Sequence, residues 1–515
     1  MRTSNETVRA VGDWLRSWVP AGAQLQIDSR AVAPGDVFIA VPGRHVNGLQ
    51  YLDQAQARGA AAILVDEASW SAQAPRPALR AALLPVPSLA SILGQVAAQY
   101  YGNASAKLRT IGITGTNGKT SSCQWIAQLL TAAGQRCATI GTLGFGFPQE
   151  LRPEGIDLTT PDAASLQRLA RTALDQGAKA LAIEVSSIGL DQGRVDGLCF
   201  GVALFTNLSR DHLDYHPDMA AYGAAKRKLF DCPTLTDAVL NLDDAFGRQV
   251  APELAARGLR VTGVSTQRDR SVGSTLACRL HAEGIEHHTQ GMRFTVLCER
   301  GSAMETAIVE VSLIGEFNVS NLLGVLGVAL ACEISLGEAA ALTAALRAPP
   351  GRLQRVAADT DSSGPVVIVD YAHTPDAIAK ALDALRPLAR ARGGRLCIVF
   401  GAGGDRDRGK RPVMGAVAAN SAEEVVLTSD NPRGENAESI IDQVASGIPQ
   451  GVPFRRNADR AQAIGDALQR AAVADVVLIA GKGHEDYQEI AGRRLPFSDY
   501  AVAHSALRAR GAGTP

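Results

Sequence analysis

The sequence predicts an α/β fold in three domains with mostly parallel sheets, and three observations carry that prediction. First, 515 residues is about three times the roughly 150 residues of an average domain. Second, short β-rich runs ending in polar residues alternate with helix-like segments, the grammar of a parallel sheet. Third, the texture changes near residue 107 and again at Ala348-Pro349-Pro350-Gly351, a plausible hinge. The expected domains are 1–107, 108–347 and 348–515. Lys and Arg number 51 against 52 Asp and Glu. That balance speaks against a basic nucleic-acid coat and an acidic tail protein. Apolar residues at 46% and charged residues at 20% suit a globular chain large enough to bury its cores without staples.

Eight scattered cysteines form no CxxC pair, which reads as reduced thiols of a cytoplasmic protein and not as a zinc site. The start, MRTSNETVRAVGDW, shows no apolar signal core. The longest apolar run, Leu322 to Cys332, is too short for the ~20 residues that span a bilayer. A buried helix is expected there, and no membrane insertion.

The first region mixes short strands and loops, as in QIDSRAVAPGDVFIAVPG, with Ala-rich helical stretches. The second opens with a strand, LRTIGIT, then a Gly-rich loop and a helix closed by Gly134. Further strands lead into polar runs: KALAIEV into Ser186-Ser187, and VALFTNLS into RDHLDYH. In the third region PVVIVDY, RLCIVF, EEVVLTS and DVVLIAG each precede a polar run and then a helix-like segment. That pattern makes the C-terminal domain Rossmann-like. Ligands of such sheets sit beyond the carboxyl ends of the strands, which is where the chemistry-bearing residues lie.

The strongest local signal is Gly115-Thr116-Asn117-Gly118-Lys119-Thr120 between a strand and a helix. Backbone N–H groups at such a junction face phosphate oxygens. Lys119 would neutralise the β- and γ-phosphates of ATP, and Thr120 would ligate Mg²⁺. The central domain is therefore a P-loop ATP-binding domain. Its loop departs from GxxxxGK[ST], because Ile113 occupies the position five before Gly118. Glu184, ending a hydrophobic strand, suits a second ligand for the magnesium.

TGTNGKT, followed by EVSS, TNLSRDHLDYH and YGAAKRKLF, resembles the Mur ligase family, ATP-dependent amide ligases of peptidoglycan precursor synthesis. The resemblance runs over nearly the whole chain. It implies an acyl-phosphate mechanism in which ATP activates the D-glutamate γ-carboxylate of UDP-MurNAc-L-Ala-D-Glu and an amine then attacks. It places Lys119, Glu184, His212 and Lys226 in the catalytic centre. Thr120 and Glu184 would hold one magnesium, with His212 and Lys226 near a second. Lys226 is the family's carbamylated lysine, formed with CO₂. Asn207 would lie near the phosphates, Asn318 and Asn321 near the base, Arg352 on the γ-phosphate side and Asp370 on the ribose side of ATP.

For the UDP-sugar peptide the resemblance implies Ile27, Ser29, Arg30, Arg44, His45, Val46, Thr159, Thr160, Ser186, Gln192 and Arg194. The family commonly has His where this chain has Ile188. By the same resemblance the run Asp430-Asn431-Pro432-Arg433 would select meso-diaminopimelate, joined by Arg406, Gly481 and Glu485. Arg433 can grip the distal carboxylate with two parallel hydrogen bonds, and Asp430 and Asn431 can accept from the distal ammonium. Two substrate sites on separate domains imply closure around the acyl-phosphate. A monomer is expected.

Three rivals are weighed. An L-lysine-adding Mur ligase or a folylpolyglutamate synthase-like ligase is disfavoured by the DNPR run and by the first region. A P-loop switch ATPase would need NKxD or LSGGQ, and neither occurs. A non-catalytic nucleotide-sugar module is disfavoured by the intact Lys119, Glu184 and Lys226.

Overall fold

The computed structural model describes residues 4–43, 46–73, 78–148, 150–152, 158–267, 276–288, 291–356 and 364–512. The expected site residues Arg44 and His45 lie outside them. The described residues form two compact units. The first comprises residues 1–281, 298–305 and 323–339, and the second 282–297, 306–322 and 340–515.

Within the first unit, a four-stranded parallel sheet runs in the order Leu25–Gln26, Val37–Ala40, Ala62–Asp66, Ala82–Val86. The two inner strands read as continuous apolar runs because helices cover both faces. Val37 to Ala40 and Ala62 to Val65 are all buried.

A second sheet in this unit carries the phosphate loop. Its parallel core runs Arg260–Ser265, Asp237–Asn241, Val202–Phe205, Arg109–Thr114, Ala180–Glu184, Cys137–Gly141. Gly144–Gly146 adds an antiparallel edge. The register places Ile113 beside Glu184 and Thr114 beside Phe205. The loops after four neighbouring strands therefore open at one edge. The sequence reading lacks three long strands, Cys278–His288, Gly291–Arg300 and Ala303–Val311, which extend this sheet. Their residues are divided between the two units. The apolar run at 322–332 belongs to a helix, Phe317–Ala331, and Leu322 to Ala329 are buried.

In the second unit, a six-stranded sheet runs Gln354–Arg355, Val366–Asp370, Val476–Ala480, Leu396–Phe400, Glu424–Leu427, Arg455–Arg456. All neighbours are parallel except the first pair. The helices Pro375–Arg392, Lys410–Ser421 and Ala437–Ala445 follow the first three expected strands. After the fourth, a hairpin of Tyr487–Ile490 and Arg493–Pro496 comes before the last helix, which the sequence reading passes over. No helix among the described residues is long and apolar enough to cross a membrane.

One ion pair fixes the carboxyl end of this sheet. Arg460 and Asp499 are both fully buried and pair through two bonds of 2.7 Å. The same guanidinium donates to Ser429 O at 3.1 Å and Ala480 O at 2.9 Å, joining the ends of two strands. Asp499→Ala leaves that cation unpaired and is expected to cost about 3–5 kcal/mol. Urea denaturation checks this, and a change below about 1 kcal/mol would contradict it.

Candidate functional site

The phosphate loop is shaped by close approach. Gly115 has φ 150° and Gly118 φ 84°. A Cβ on Gly115 would fall 1.9 Å from Thr206 Oγ1, so no side chain fits there. Gly118 precedes the helix Lys119–Ala132, whose first N–H groups have no partner within the helix. Lys119 Nζ folds back on its own loop and donates to Gly115 O and Thr116 O, both at 2.9 Å.

Asn207 braces this loop from the neighbouring strand end. Its Oδ1 accepts from Asn117 N at 3.0 Å, its Nδ2 donates to Asn117 O at 3.0 Å, and its carbonyl accepts from Thr116 N at 2.8 Å. Sequence reasoning placed Asn207 near phosphate; its side chain is spent on holding the loop's backbone. Asn207→Ala removes two hydrogen bonds worth about 0.5–1.5 kcal/mol each. ATP affinity is expected to fall about tenfold, measured by calorimetry; an unchanged affinity would contradict the brace.

Glu184 is buried at the end of its strand. Thr120 Oγ1 donates to its Oε2 at 2.8 Å, Thr142 N to its Oε1 at 2.9 Å, and Thr142 Oγ1 lies 3.2 Å from Oε2. Thr159 Oγ1 stands 3.2 Å from Thr142 Oγ1. A Cβ on Gly141 would sit 2.2 Å from Glu184 Oε1, so glycine makes room for the carboxylate. Thr120 and Glu184 thus present adjoining hard oxygens at a phosphate loop, a donor set that fits Mg²⁺. Among the described residues no group of three or more His, Cys, Asp or Glu could cage a metal by itself. Mg²⁺ needs no such cage, because it keeps waters and substrate phosphates as ligands.

Lys226 lies on the helix Met219–Arg227, capped by Asp218, whose carboxylate accepts from Ala221 N. Its neighbours in sequence, Arg227 and Lys228, reach surface carboxylates, but Lys226 is 1% exposed. Its Nζ donates to Gly115 O at 2.8 Å, the same carbonyl that Lys119 uses, and lies 4.4 Å from the Tyr222 ring centre. Burial first, and then the Lys119 charge, pull this amine down to about 6. Tyr222 OH approaches Thr116 Oγ1 at 3.2 Å, and burial raises the phenol to about 12.

His212 is 43% exposed, with φ 51°, 3.6 Å from Asp211 Oδ2 and 6.1 Å from the Tyr222 ring. The second histidine of the motif, His216, escaped sequence reasoning. It is 4% exposed, 3.0 Å from Ser187 Oγ, and packs on Tyr222 with ring centres 5.2 Å apart. Its only sequence signal is its place four residues after His212.

Thr160 and Ser186 meet below Glu184: Thr160 Oγ1 is 2.9 Å from Glu184 O and from Ser186 N. Arg194 donates to Thr160 O at 2.8 Å and to Gln192 Oε1 at 2.6 Å. These residues of the expected substrate set adjoin the metal-fitting pair. In the first sheet, Ile27 and Val46 are exposed, Arg30 pairs with Asp28, and Ser29 is buried against Gln54 at 2.6 Å.

The second unit holds the remaining candidates. Asn318 Nδ2 donates to Ile314 O, and its Oδ1 accepts from Asn321. Asp370 accepts from Leu353 N and Ala372 N. The Arg352 guanidinium lies 4.9 Å over Tyr371, and its buried Nε has no partner among the described residues.

The strand ends bring Asp430, Asn431, Pro432, Arg433, Gly481 and Glu485 together. A Cβ on Gly481 would fall 2.5 Å from Asp430 Oδ2, and one on Gly404 would fall 1.9 Å from Pro432 O. Asn431 is 2% exposed. Its Nδ2 donates to Glu485 Oε2 at 2.8 Å, and its Oδ1 accepts from Lys482 Nζ and Glu489 N, both at 2.9 Å. The expectation that Asn431 Oδ1 accepts from an ammonium therefore needs revision, because two donors already occupy it. Lys482, absent from the sequence reading, is fully buried and also pairs with Glu485 at 2.8 Å. Arg433 has φ 49° and donates from NH1 to Gly404 O at 2.8 Å. Arg406 is exposed.

Residues 113–329 match the Mur ligase middle domain, 351–483 the Mur ligase glutamate ligase domain, and 23–101 the Mur ligase family catalytic domain. The chain belongs to the Mur ligase family. It is an ATP-dependent, amide-bond-forming Mur ligase with three Mur ligase domains. It is 46% identical to the UDP-N-acetylmuramoyl-L-alanyl-D-glutamate–2,6-diaminopimelate ligase of Acidovorax sp. (strain JS42), over 98% of each chain. It is 46% identical to the ligase of that name from Ralstonia nicotianae, over 97% of this chain and 96% of that one. A solved structure of a UDP-N-acetylmuramoyl-L-alanyl-D-glutamate–2,6-diaminopimelate ligase superposes with a TM-score of 0.65 at 35% identity, covering 95% of each chain.

Proposed function

We propose that this Mur ligase joins meso-2,6-diaminopimelate to UDP-MurNAc-L-Ala-D-Glu, with ATP as the activating substrate. The observation that carries the reading is the arginine of the DNPR turn, held between Gly404 O and Glu489 in a chain 46% identical throughout to ligases named for that amino acid. Residues 1–107 take the uridine side, 108–347 the ATP phosphates, and 348–515 the amino acid. The protein acts in the cytoplasm, as a monomer.

A carboxylate is a poor electrophile because oxide is a poor leaving group. A γ-carboxylate oxygen of D-glutamate attacks the terminal phosphorus of ATP, and ADP departs. The amine then adds to the acyl-phosphate carbonyl, and the tetrahedral adduct expels inorganic phosphate to leave the amide. The protein's part is charge neutralisation and positioning. Lys119 leaves its two loop carbonyls to meet the phosphates. The N–H groups of Gly118 to Thr120 face the same oxygens. Thr160, Ser186 and Arg194 orient the peptide beside Glu184.

Magnesium, when bound, neutralises phosphate charge; Thr120 and Glu184 would hold it, with Thr142 orienting the carboxylate. A second ion would lie towards His212 and Lys226. Lys226 carries a carbamate in the working enzyme. Burial against Tyr222 and beside the Lys119 cation favours its neutral amine, the form that adds to CO₂.

Phosphate release tests the reading. It is expected only when ATP, the sugar dipeptide and diaminopimelate are all present. Release with ATP alone at a comparable rate would point to a switch ATPase.

A further inference from the structure

We propose that Cys278 and Cys298 form a modification site, where hydrogen peroxide makes a reversible disulfide that staples two neighbouring strands of the phosphate-loop sheet. The two residues are 20 apart in the chain, with no CxxC spacing to announce them. Cys278 opens the strand Cys278–His288, in register with Thr262 of the strand on its other side. Cys298 lies near the end of the neighbouring strand Gly291–Arg300. Their sulfurs stand 3.3 Å apart. A disulfide bond is about 2.05 Å long, so a side-chain movement of about 1 Å closes it.

The surroundings prepare one sulfur to attack. The hydrogen bond from the Cys278 thiol pulls Cys298 down to about 7; burial opposes it, and the Arg300 guanidinium assists. The same hydrogen bond, together with burial, raises Cys278. One sulfur is the thiolate and the other keeps its proton, the division that an attacking and a resolving cysteine need. Cys278 is 6% exposed and Cys298 1%, an opening that suits a molecule of two oxygen atoms and shuts out a bulky oxidant. The Cys298 thiolate attacks one oxygen of peroxide, the O–O bond breaks, and the departing hydroxide takes up a proton as water. The Cys278 sulfur then attacks the sulfenic acid: the S–S bond forms, the S–O bond breaks, and hydroxide leaves with the Cys278 proton as a second water. Two thiols are oxidised and one peroxide is reduced. An external dithiol reverses the change by thiol–disulfide exchange.

Other sulfurs of the chain are placed differently. Cys123 and Cys137 donate to backbone carbonyls, and burial raises both. Cys199 and Cys232 are partly exposed, and Cys232 faces Leu198 O and Thr234 Oγ1. The strand that carries Cys278 stands four strands from Arg109–Thr114 in the sheet, about 19 Å at ~4.8 Å per strand. The staple therefore acts on the folded state and leaves the phosphate loop alone: it closes a loop of the unfolded chain and lowers that chain's entropy.

The test treats the reduced, full-length enzyme with one equivalent of hydrogen peroxide and weighs it intact and after proteolysis. The product is expected to be lighter by two hydrogens and to yield a Cys278–Cys298 cross-linked peptide, while Cys199 and Cys232 still alkylate as thiols. Dithiothreitol should restore the starting mass. The oxidised enzyme should melt about 3–10 °C higher. Cys278→Ala and Cys298→Ala should each abolish the cross-link, and Cys278→Ala should leave a sulfenic acid on Cys298 that dimedone traps. If a variant fails to fold, the wild-type mapping decides alone. A cross-link between other cysteines, sulfinic acid on Cys298 with no cross-link, an unreacted pair beside oxidised Cys199 or Cys232, or a melting temperature that does not rise would each overturn the proposal.

Discussion

Arg433→Ala is expected to lower kcat/KM for meso-diaminopimelate by about 10²–10³-fold, mostly through KM. The side chain sits between Gly404 O and Glu489, partly out of water. Truncating one member of a desolvated, hydrogen-bonded charge pair costs about 2–5 kcal/mol, and each 1.4 kcal/mol is a factor of about ten. ATP binding should be spared, because Lys119, Thr120 and Asn207 belong to the other compact unit. Arg433→Lys should recover only part of the loss. A lysine keeps the charge but has no fork to match a carboxylate with two parallel bonds. The check is steady-state kinetics in diaminopimelate, with calorimetry for ATP. Normal use of diaminopimelate by the alanine variant would end the recognition argument.

Lys226→Ala is expected to lower kcat by about 10²–10³-fold or more, the loss seen when a charge-stabilising group is removed from a preorganised site. The prediction separates two roles. If Lys226 acts through its carbamate, Lys226→Arg, which keeps a cation, should be as inactive as the alanine variant. A small added carboxylate such as formate should restore part of the alanine variant's turnover. Stripping CO₂ and bicarbonate from the wild-type enzyme should slow it, and ¹³C-bicarbonate should give a carbamate resonance that the alanine variant lacks. Full activity of Lys226→Ala would remove the residue from the catalytic centre. Rescue by an amine in place of a carboxylate would assign it the role of a cation.

Much of this site is legible in the sequence because it lies at strand ends. A strand, a glycine loop and a Lys-Thr pair announce a phosphate site, and the structure sets Thr120 2.8 Å from Glu184, 64 residues away in the chain. What stays hidden is direction and burial. Nothing local distinguishes Lys226 from Arg227 and Lys228 in a cationic run, yet Lys226 is 1% exposed and points at Gly115. Likewise His212 and His216 share a motif, and only packing buries the second against Ser187 and Tyr222. Asn207 reads as a polar residue after a strand; its role as a brace depends on a backbone 90 residues away.

The three strands from Cys278 to Val311 escaped notice for another reason. HAEGIEHH and AMETAIVEV mix charges with apolar residues. The burial pattern of Ala303–Val311, mostly exposed with Val309 and Val311 inside, gives too weak a period-2 signal to stand against loop. The Tyr487–Pro496 hairpin is short, and all four residues of its second strand are exposed. That hairpin brings Glu489 beside Arg433.

The most direct measurement offers the purified protein ATP and UDP-MurNAc-L-Ala-D-Glu with an equal mixture of meso-diaminopimelate and L-lysine, and weighs the product. A site built around a distal carboxylate leaves Arg433 unpaired against lysine, and such polar mismatches discriminate by up to about 10⁴-fold. The account predicts a product heavier than the dipeptide by diaminopimelate less water, with the lysine adduct at trace level and one phosphate released per amide. Equal amounts of the two adducts, or amide formed without phosphate release, would contradict it.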